Sequence, residues 1–230
     1  MSNSLRSQFM LDPDVIFLNH GSFGACPRPV FEVYQQWQRE LERQPVLFMA
    51  RRAAGLLAEA RGRLAAYLGV ESADHLVYFT NPTTALNAVA RSLALGGRAG
   101  SCLQPGDEIL ATDHEYPALD QTWGFIAHLT GAAYVRRPIP LPITSAADFV
   151  EAFWAGVTGR TKVVFISHIT SPTALIFPVQ EICRRARAAG LISIVDDAHA
   201  PAQIALNLVE IGADVYVGAC HVSALIHRPH

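Results

Sequence analysis

Residues Leu191–His221, LISIVDDAHAPAQIALNLVEIGADVYVGACH, decide how this chain is read. The apolar run Leu191–Val195 ends in Asp196–Asp197, with His199 and Pro201 just beyond. A second run, Asp214–Gly218, ends at Cys220–His221. Short apolar runs closed by polar residues read as buried strands. Two such strands delivering polar side chains at their carboxyl ends mark the place where an open α/β sheet holds a ligand.

The same pattern recurs upstream. Lys162–Ser167 is an apolar strand running into the polar loop His168-Ile169-Thr170-Ser171-Pro172-Thr173, and a helix follows from Pro178 to Ala189, stopped by Gly190. Pro105-Gly106 turns into a strand at Glu108–Thr112, followed by Asp113-His114-Glu115-Tyr116 and a helix opened by Pro117. Leu76–Thr80 reads as the first strong strand. It leads through Asn81-Pro82-Thr83-Thr84 into a helix with Leu86, Val89, Ala90 and Leu93 inward. Ala132–Arg136 is a further strand, and Ser145 with Asp148 forms a capping box before a helix carrying Phe149 and Phe153. Strands alternating with helices predict an α/β fold, a mostly parallel, doubly wound sheet.

The first 24 residues look irregular, with a short extended piece at Val15–Leu18 and a glycine-punctuated loop, Asn19-His20-Gly21-Ser22-Phe23-Gly24. Two helices follow. One opens at Pro29 with Val30, Tyr34, Trp37 and Leu41 on one face; the other spans Arg51–Leu68 with Leu57, Ala60, Leu64 and Tyr67 aligned.

The bulk composition excludes several classes. At 50% hydrophobic and 17% charged, the 230 residues can build a sizeable core. A net charge of −2 predicts no broad attraction to nucleic acid or to an anionic membrane. The four cysteines, Cys26, Cys102, Cys183 and Cys220, form no CxxC pair and suit a reducing cytoplasm, with Cys102 and Cys183 read as small core residues. The amino terminus lacks the apolar core of a signal peptide, and no apolar run is long enough to span a bilayer. No GxGxxG follows a strand, which argues against a dinucleotide site.

Strand, short polar loop, helix N-terminus is a geometry that binds phosphate, because unpaired N–H groups and the helix dipole both favour an anion. At Thr83 and Thr84 the hydroxyls would add hydrogen bonds; the bland alternative is an ordinary threonine cap. His114–Glu115 in isolation suggests a metal or acid–base pair, but no second motif at ligand spacing supports it. A metal hydrolase using His114, His168, His199 and His221 ranks below the other readings, and no metal is expected.

FLNHGSFG (Phe17–Gly24), TNPTTALNAV (Thr80–Val89), DHEYPAL (Asp113–Leu119), SHITSPTA (Ser167–Ala174), VDDAHAPAQ (Val195–Gln203) and DVYVGACH (Asp214–His221) come in the order of the class V aminotransferase family. By these motifs the chain resembles that family of pyridoxal-phosphate (PLP) enzymes of fold type I, and within it the isopenicillin N epimerase-like proteins. The resemblance implies chemistry at the α-carbon of an amino acid: epimerisation, transamination or C–S lysis. It also implies the large domain of that fold over residues 25–221, preceded by an active-site loop segment at 1–24, and a homodimer for the full-length family.

It further implies a set of cofactor contacts. Thr83 and Thr84 would hold the phosphate, Asp196 the pyridine nitrogen, Tyr116 the ring face and His199 the ring edge. Ser171 would sit near the phenolic oxygen, His221 would close the set, and the Asn19-His20-Gly21-Ser22 loop would cover the substrate side. Each has a plainer alternative: a half-buried core residue for Tyr116, a turn residue for Ser171, a structural histidine for His199.

Two departures stand out. The family's last motif continues His–Lys–Trp, and its lysine is the Schiff-base lysine; here Val222 follows His221, and the one lysine in the chain, Lys162, begins a strand. The family also continues into a further core strand and a small domain that supplies an arginine for the substrate carboxylate, whereas residues 222–230 read as an aberrant tail, truncated or frameshifted. These departures predict at best noncovalent PLP binding and an inactive chain, or else a noncatalytic protein that keeps the PLP fold as a binding module.

Overall fold

A computed structural model describes residues 5–21, 24–96 and 103–220. The chain divides into two compact units, Met1–Val77 with Cys220–His230, and Tyr78–Ala219. This boundary falls inside the 25–221 span that the sequence suggests is one domain.

The first unit is helical. It contains α1 (Arg28–Arg43), the short α2 (Pro45–Leu47), a π-helical turn at Phe48–Arg52 and α3 (Ala53–Tyr67). Pro at the first turn opens α1, as its locked φ favours. On α3 the inward positions are Ala65 and, just past the helix, Leu68, whereas Leu57 and Tyr67 are exposed. The face that the sequence aligns, Leu57, Ala60, Leu64 and Tyr67, therefore has its two ends exposed.

The second unit carries α4 (Pro82–Leu95), β1 (Glu108–Thr112), α5 (Pro117–Thr130), β2 (Ala133–Arg137), α6 (Ala146–Trp154) and β3 (Thr161–Ser167). It continues with α7 (Val179–Ala188), β4 (Ile192–Asp197), α8 (Leu208–Ile211) and β5 (Val215–Gly218). The five strands form one sheet in the order β2-β1-β3-β4-β5, with every pairing parallel. Helices cover both faces, as a parallel sheet requires. On one face Phe149, Phe153, Phe177 and Ile182 pack against Leu110, Val164 and Val195. On the other, Leu86, Leu119, Trp123 and Ile126 pack against Ile109, Phe165 and Ile194. The register sets Ser167 opposite Asp196 and Asp197 opposite Gly218, so the carboxyl ends of β3, β4 and β5 lie level.

One arm of the expected capping box forms: Ser145 Oγ accepts from the Asp148 amide at 3.1 Å, while the Asp148 carboxylate accepts from the Ser145 hydroxyl at 2.8 Å, where the full box would have it accept from the Ser145 main-chain N–H. The strand expected at Leu76–Thr80 does not form. Val77, Tyr78 and Phe79 are 76%, 47% and 49% exposed, and among the described residues nothing pairs with this run. A run rich in aromatic and β-branched residues becomes a strand only where a neighbour completes its ladder.

The helix behind it forms nonetheless. Asn81 is its N-cap, its side-chain oxygen accepting from the Thr84 amide at 2.8 Å, so the cap is Asn81 and not a threonine. Asn81→Ala is expected to cost about 1 kcal/mol of stability and Asn81→Ser much less, read from denaturant midpoints. Equal losses in both would remove the cap from the account.

Candidate functional site

The level carboxyl ends of β3 and β4 gather the polar groups, and the alternation of side chains along β4 sends them to opposite faces. Ile194 packs with the α4 and α5 side, and Asp196 shares that face. Asp197 lies on the other, where Tyr216 packs.

Asp196 is 5% exposed and accepts one main-chain hydrogen bond, from the Ala198 amide at 3.3 Å. A carboxylate so poorly solvated prefers its proton, and burial lifts it to about 6. Its main-chain carbonyl accepts from the His168 amide at 2.8 Å, fixing the end of β3 to the end of β4.

Glu115 is a second buried carboxyl, 3% exposed. It accepts from the Thr112 hydroxyl and the Ser167 hydroxyl, each at 2.6 Å, and from the Thr112 amide at 3.3 Å. Burial pushes it up to about 7 against the pull of those two hydroxyls, and the negative charge of Asp196 adds to the rise. Its neighbour His114 turns away: Nε2 meets the Ile139 carbonyl at 3.0 Å and Nδ1 the Thr173 hydroxyl at 3.3 Å. The two side chains therefore diverge and form no acid–base pair. Among the described residues, no group of three or more His, Cys, Asp or Glu side chains could hold a metal ion.

Asp197 is fully buried and accepts from the Tyr216 hydroxyl and, at 3.0 Å, from the Ala200 amide. The Tyr216 hydroxyl also meets His168 Nδ1 at 2.9 Å. Burial raises Asp197 to about 7 and lowers His168 to about 4. A neutral imidazole carries no charge for an ion pair, so its 3.7 Å approach to Asp197 is a polar contact only.

At α4, Pro82 brings no N–H, and Asn81 takes the Thr84 amide through its side chain and the Ala85 amide through its carbonyl. The Thr83 amide and the Thr83 and Thr84 hydroxyls remain at the helix start. Asn87 braces this turn, donating to the Thr83 carbonyl at 2.9 Å and to the Thr122 hydroxyl of α5 at 3.1 Å.

Thr83, Thr84, Tyr116 and Asp196 thus belong to elements of one sheet face. Tyr116 is the N-cap residue of α5 and is exposed, not half-buried core. Ser171 is exposed at the tip of the loop after β3, held by the Thr170–Thr173 hydroxyl contact at 2.7 Å. His199 is partly buried, which lowers its pKa. Asn19, His20 and Gly21 belong to the helical unit, where the His20 ring packs edge-on to Phe17 at 4.7 Å and tilted to Phe9 at 5.5 Å. Ser22, Cys102, His221 and Val222 lie outside the described residues. Lys162 is exposed near the amino end of β3, five strand steps, about 16 Å, from Ser167.

Sequence reasoning missed Glu115 as a buried acid and the Asp197–Tyr216–His168 chain. Alternation along β5 would have put Tyr216 on one face with Asp214, but only the register brings it to Asp197.

A family model described as Aminotransferase class-V matches residues 25–222. The isopenicillin N epimerases of Amycolatopsis lactamdurans and Streptomyces clavuligerus are each 37% identical, over 94% of this chain and 52% of theirs. A probable chloroplastic L-cysteine desulfhydrase of Arabidopsis thaliana is 26% identical over 96% of this chain and 48% of its own. The chain thus spans about half the length of the curated relatives it matches. Among solved structures, a C-DES mutant with glycine covalently linked to its PLP cofactor superposes with a TM-score of 0.81 at 24% identity, over 97% of this chain and 57% of that one. Apo cysteine desulfurase from Thermococcus onnurineus NA1 gives 0.79 at 21%, over 94% and 52%. At these identities the likeness speaks for the fold alone, the α/β architecture of the PLP-dependent fold type I enzymes.

Proposed function

Because this chain belongs to the class V aminotransferase family, we propose that residues 25–221 form a pyridoxal-phosphate-binding domain whose relatives act at the α-carbon of an amino acid. Epimerisation, transamination and carbon–sulfur lysis stand side by side for its lineage, whose relatives include proteins named as epimerases and as an L-cysteine desulfhydrase. The reading includes a cytoplasmic location, on the cysteine pattern, and a homodimer for the full-length family.

The observation that carries it is Asp196, a carboxyl 5% exposed with one long main-chain partner. Such a group fits the N–H of a bound cation at the carboxyl end of β4. PLP, when bound, supplies an electron sink for negative charge at the substrate α-carbon. Asp196 would accept the pyridine N–H and keep that nitrogen protonated, since a nearby negative charge raises its pKa. The Thr83 amide and the Thr83 and Thr84 hydroxyls would hold the phosphate. Tyr116 would cover one ring face, burying flat apolar area. His199 would meet the ring edge and Ser171 the phenolic oxygen.

The side chain at position 222 cannot attach the cofactor, because valine carries no side-chain amine. Lys162 is at the wrong end of the sheet. Binding by this chain is then noncovalent, and no lysine moves the α-proton. Val222 favours a second reading beside the first, a noncatalytic protein that keeps the PLP fold as a binding module.

Titrating the full chain with PLP, followed by borohydride reduction and mass analysis, tests both. A saturable absorbance change with no covalent adduct is expected. Absence of saturable binding overturns the cofactor reading. A stoichiometric adduct with turnover of an amino acid overturns the noncovalent one.

A further inference from the structure

Asp197 of β4, Tyr216 of β5 and His168, the residue just past β3, meet on the face of the sheet opposite Asp196. The Tyr216 hydroxyl has one proton and two neighbours that want to accept it: the Asp197 carboxylate and His168 Nδ1, which is 2.9 Å away. Where the proton goes decides the rest. With Asp197 ionised, the phenol donates to the carboxylate, and its oxygen can only accept from the imidazole. His168 Nδ1 then carries the ring's single proton, and Nε2 is a lone pair.

We propose that these three side chains form a proton relay in which Asp197, acting through Tyr216, sets whether His168 Nε2 accepts or donates a hydrogen bond at the carboxyl end of the sheet. The steps balance. A proton from solvent or a bound group forms the Nε2–H bond. The Nδ1–H bond breaks as its proton passes to the Tyr216 oxygen, and the original phenol proton passes to Asp197. Asp197 then donates to the phenol, and the phenol donates to Nδ1. Imidazole and phenol end neutral, and the one proton taken up rests on the carboxyl. Asp197 is a positioning residue here: it acts on what is bound only through His168.

The groups facing this chain permit the exchange. Asp196 on the same strand adds negative charge that favours a protonated Asp197. Cys183 of α7 is kept neutral by burial, which raises its thiol to about 11. Burial lifts Asp197 to about 7, so its ionisation changes within ordinary conditions. It lowers His168 to about 4, so the ring stays neutral throughout and its tautomer is the variable. The inference does not rest on PLP binding.

Nitrogen-15 NMR of the full chain labelled at histidine, without PLP, reads the tautomer directly. The His168 signals are assigned by their loss in His168→Gln. Wild type is expected to pass from the Nε2–H form to the Nδ1–H form as pH rises through about 7, the value to which burial lifts Asp197. Asp197→Asn and Tyr216→Phe are each expected to hold one tautomer across that range. Either variant alone decides, so failure of one to fold leaves the test intact. A wild-type tautomer that does not change with pH, or a change that persists in a folded variant, overturns the relay.

Discussion

Replacing Glu115 by glutamine is expected to stabilise the protein at about pH 8 by about 2–3 kcal/mol relative to its effect at about pH 5. The amide oxygen can keep the Thr112 amide and hydroxyl bonds, and the amide nitrogen can donate to the Ser167 hydroxyl, whose oxygen has lone pairs to spare. Shape and bonds survive; the charge does not. In the folded protein Glu115 is raised from 4.5 to about 7, chiefly by burial. A carboxyl raised in the folded state binds more protons there than in the unfolded chain. Its contribution to stability is full below the unfolded value and is lost as pH rises through the folded one. Asp196 and Asp197, raised to about 6 and about 7, act with the same sign. His168, lowered to about 4, acts oppositely: its contribution is present above its ordinary range and is lost as pH falls through about 4. Wild-type stability should therefore decline between about pH 5 and about pH 8, and Glu115→Gln should flatten that decline. Urea unfolding at both pH values measures the double difference, in which any loss of bond quality cancels. Equal shifts at the two pH values would show that Glu115 does not change charge in this range.

The elements legible in the sequence are those whose local chemistry and tertiary setting agree. The runs at Glu108–Thr112, Lys162–Ser167, Leu191–Val195 and Asp214–Gly218 are apolar, bounded by turn residues and flanked by strand partners, and all four became strands. Ser145 caps the Asp148 amide within four residues, a decision made without help from the rest of the chain. Leu76–Thr80 has the same composition but no partner among the described residues, and a ladder is a property of two strands. Asp196 could be anticipated because the end of a buried strand is a place the sequence can mark. Glu115 could not, because its burial depends on Ser167, fifty-two residues away, closing over it. The Asp197–Tyr216–His168 chain depends likewise on the register of three parallel strands. No spacing within one strand encodes that register.

Asp196→Asn is expected to weaken PLP binding by about 10- to 100-fold, the difference between a charge-assisted and a neutral hydrogen bond at a buried site. The asparagine has nearly the carboxylate's shape, and its amide oxygen can still accept from the Ala198 amide, so the end of β4 should hold its form. What it lacks is the negative charge that, on the proposed reading, would keep the pyridine nitrogen protonated. The loss should therefore appear in two readouts. The first is affinity, followed by absorbance titration. The second is pH dependence. Burial raises Asp196 to about 6, so wild-type binding should weaken as pH falls through that value and the carboxylate is protonated. In the variant this inflection should vanish, because no carboxylate remains to titrate. The pairing matters because Glu115 and Asp197 also change charge near this range and stay in place in the variant. If the inflection survives in Asp196→Asn, one of those two carboxyls governs it. If affinity is also unchanged, Asp196 does not face the pyridine nitrogen, and the cofactor reading loses the observation that carries it.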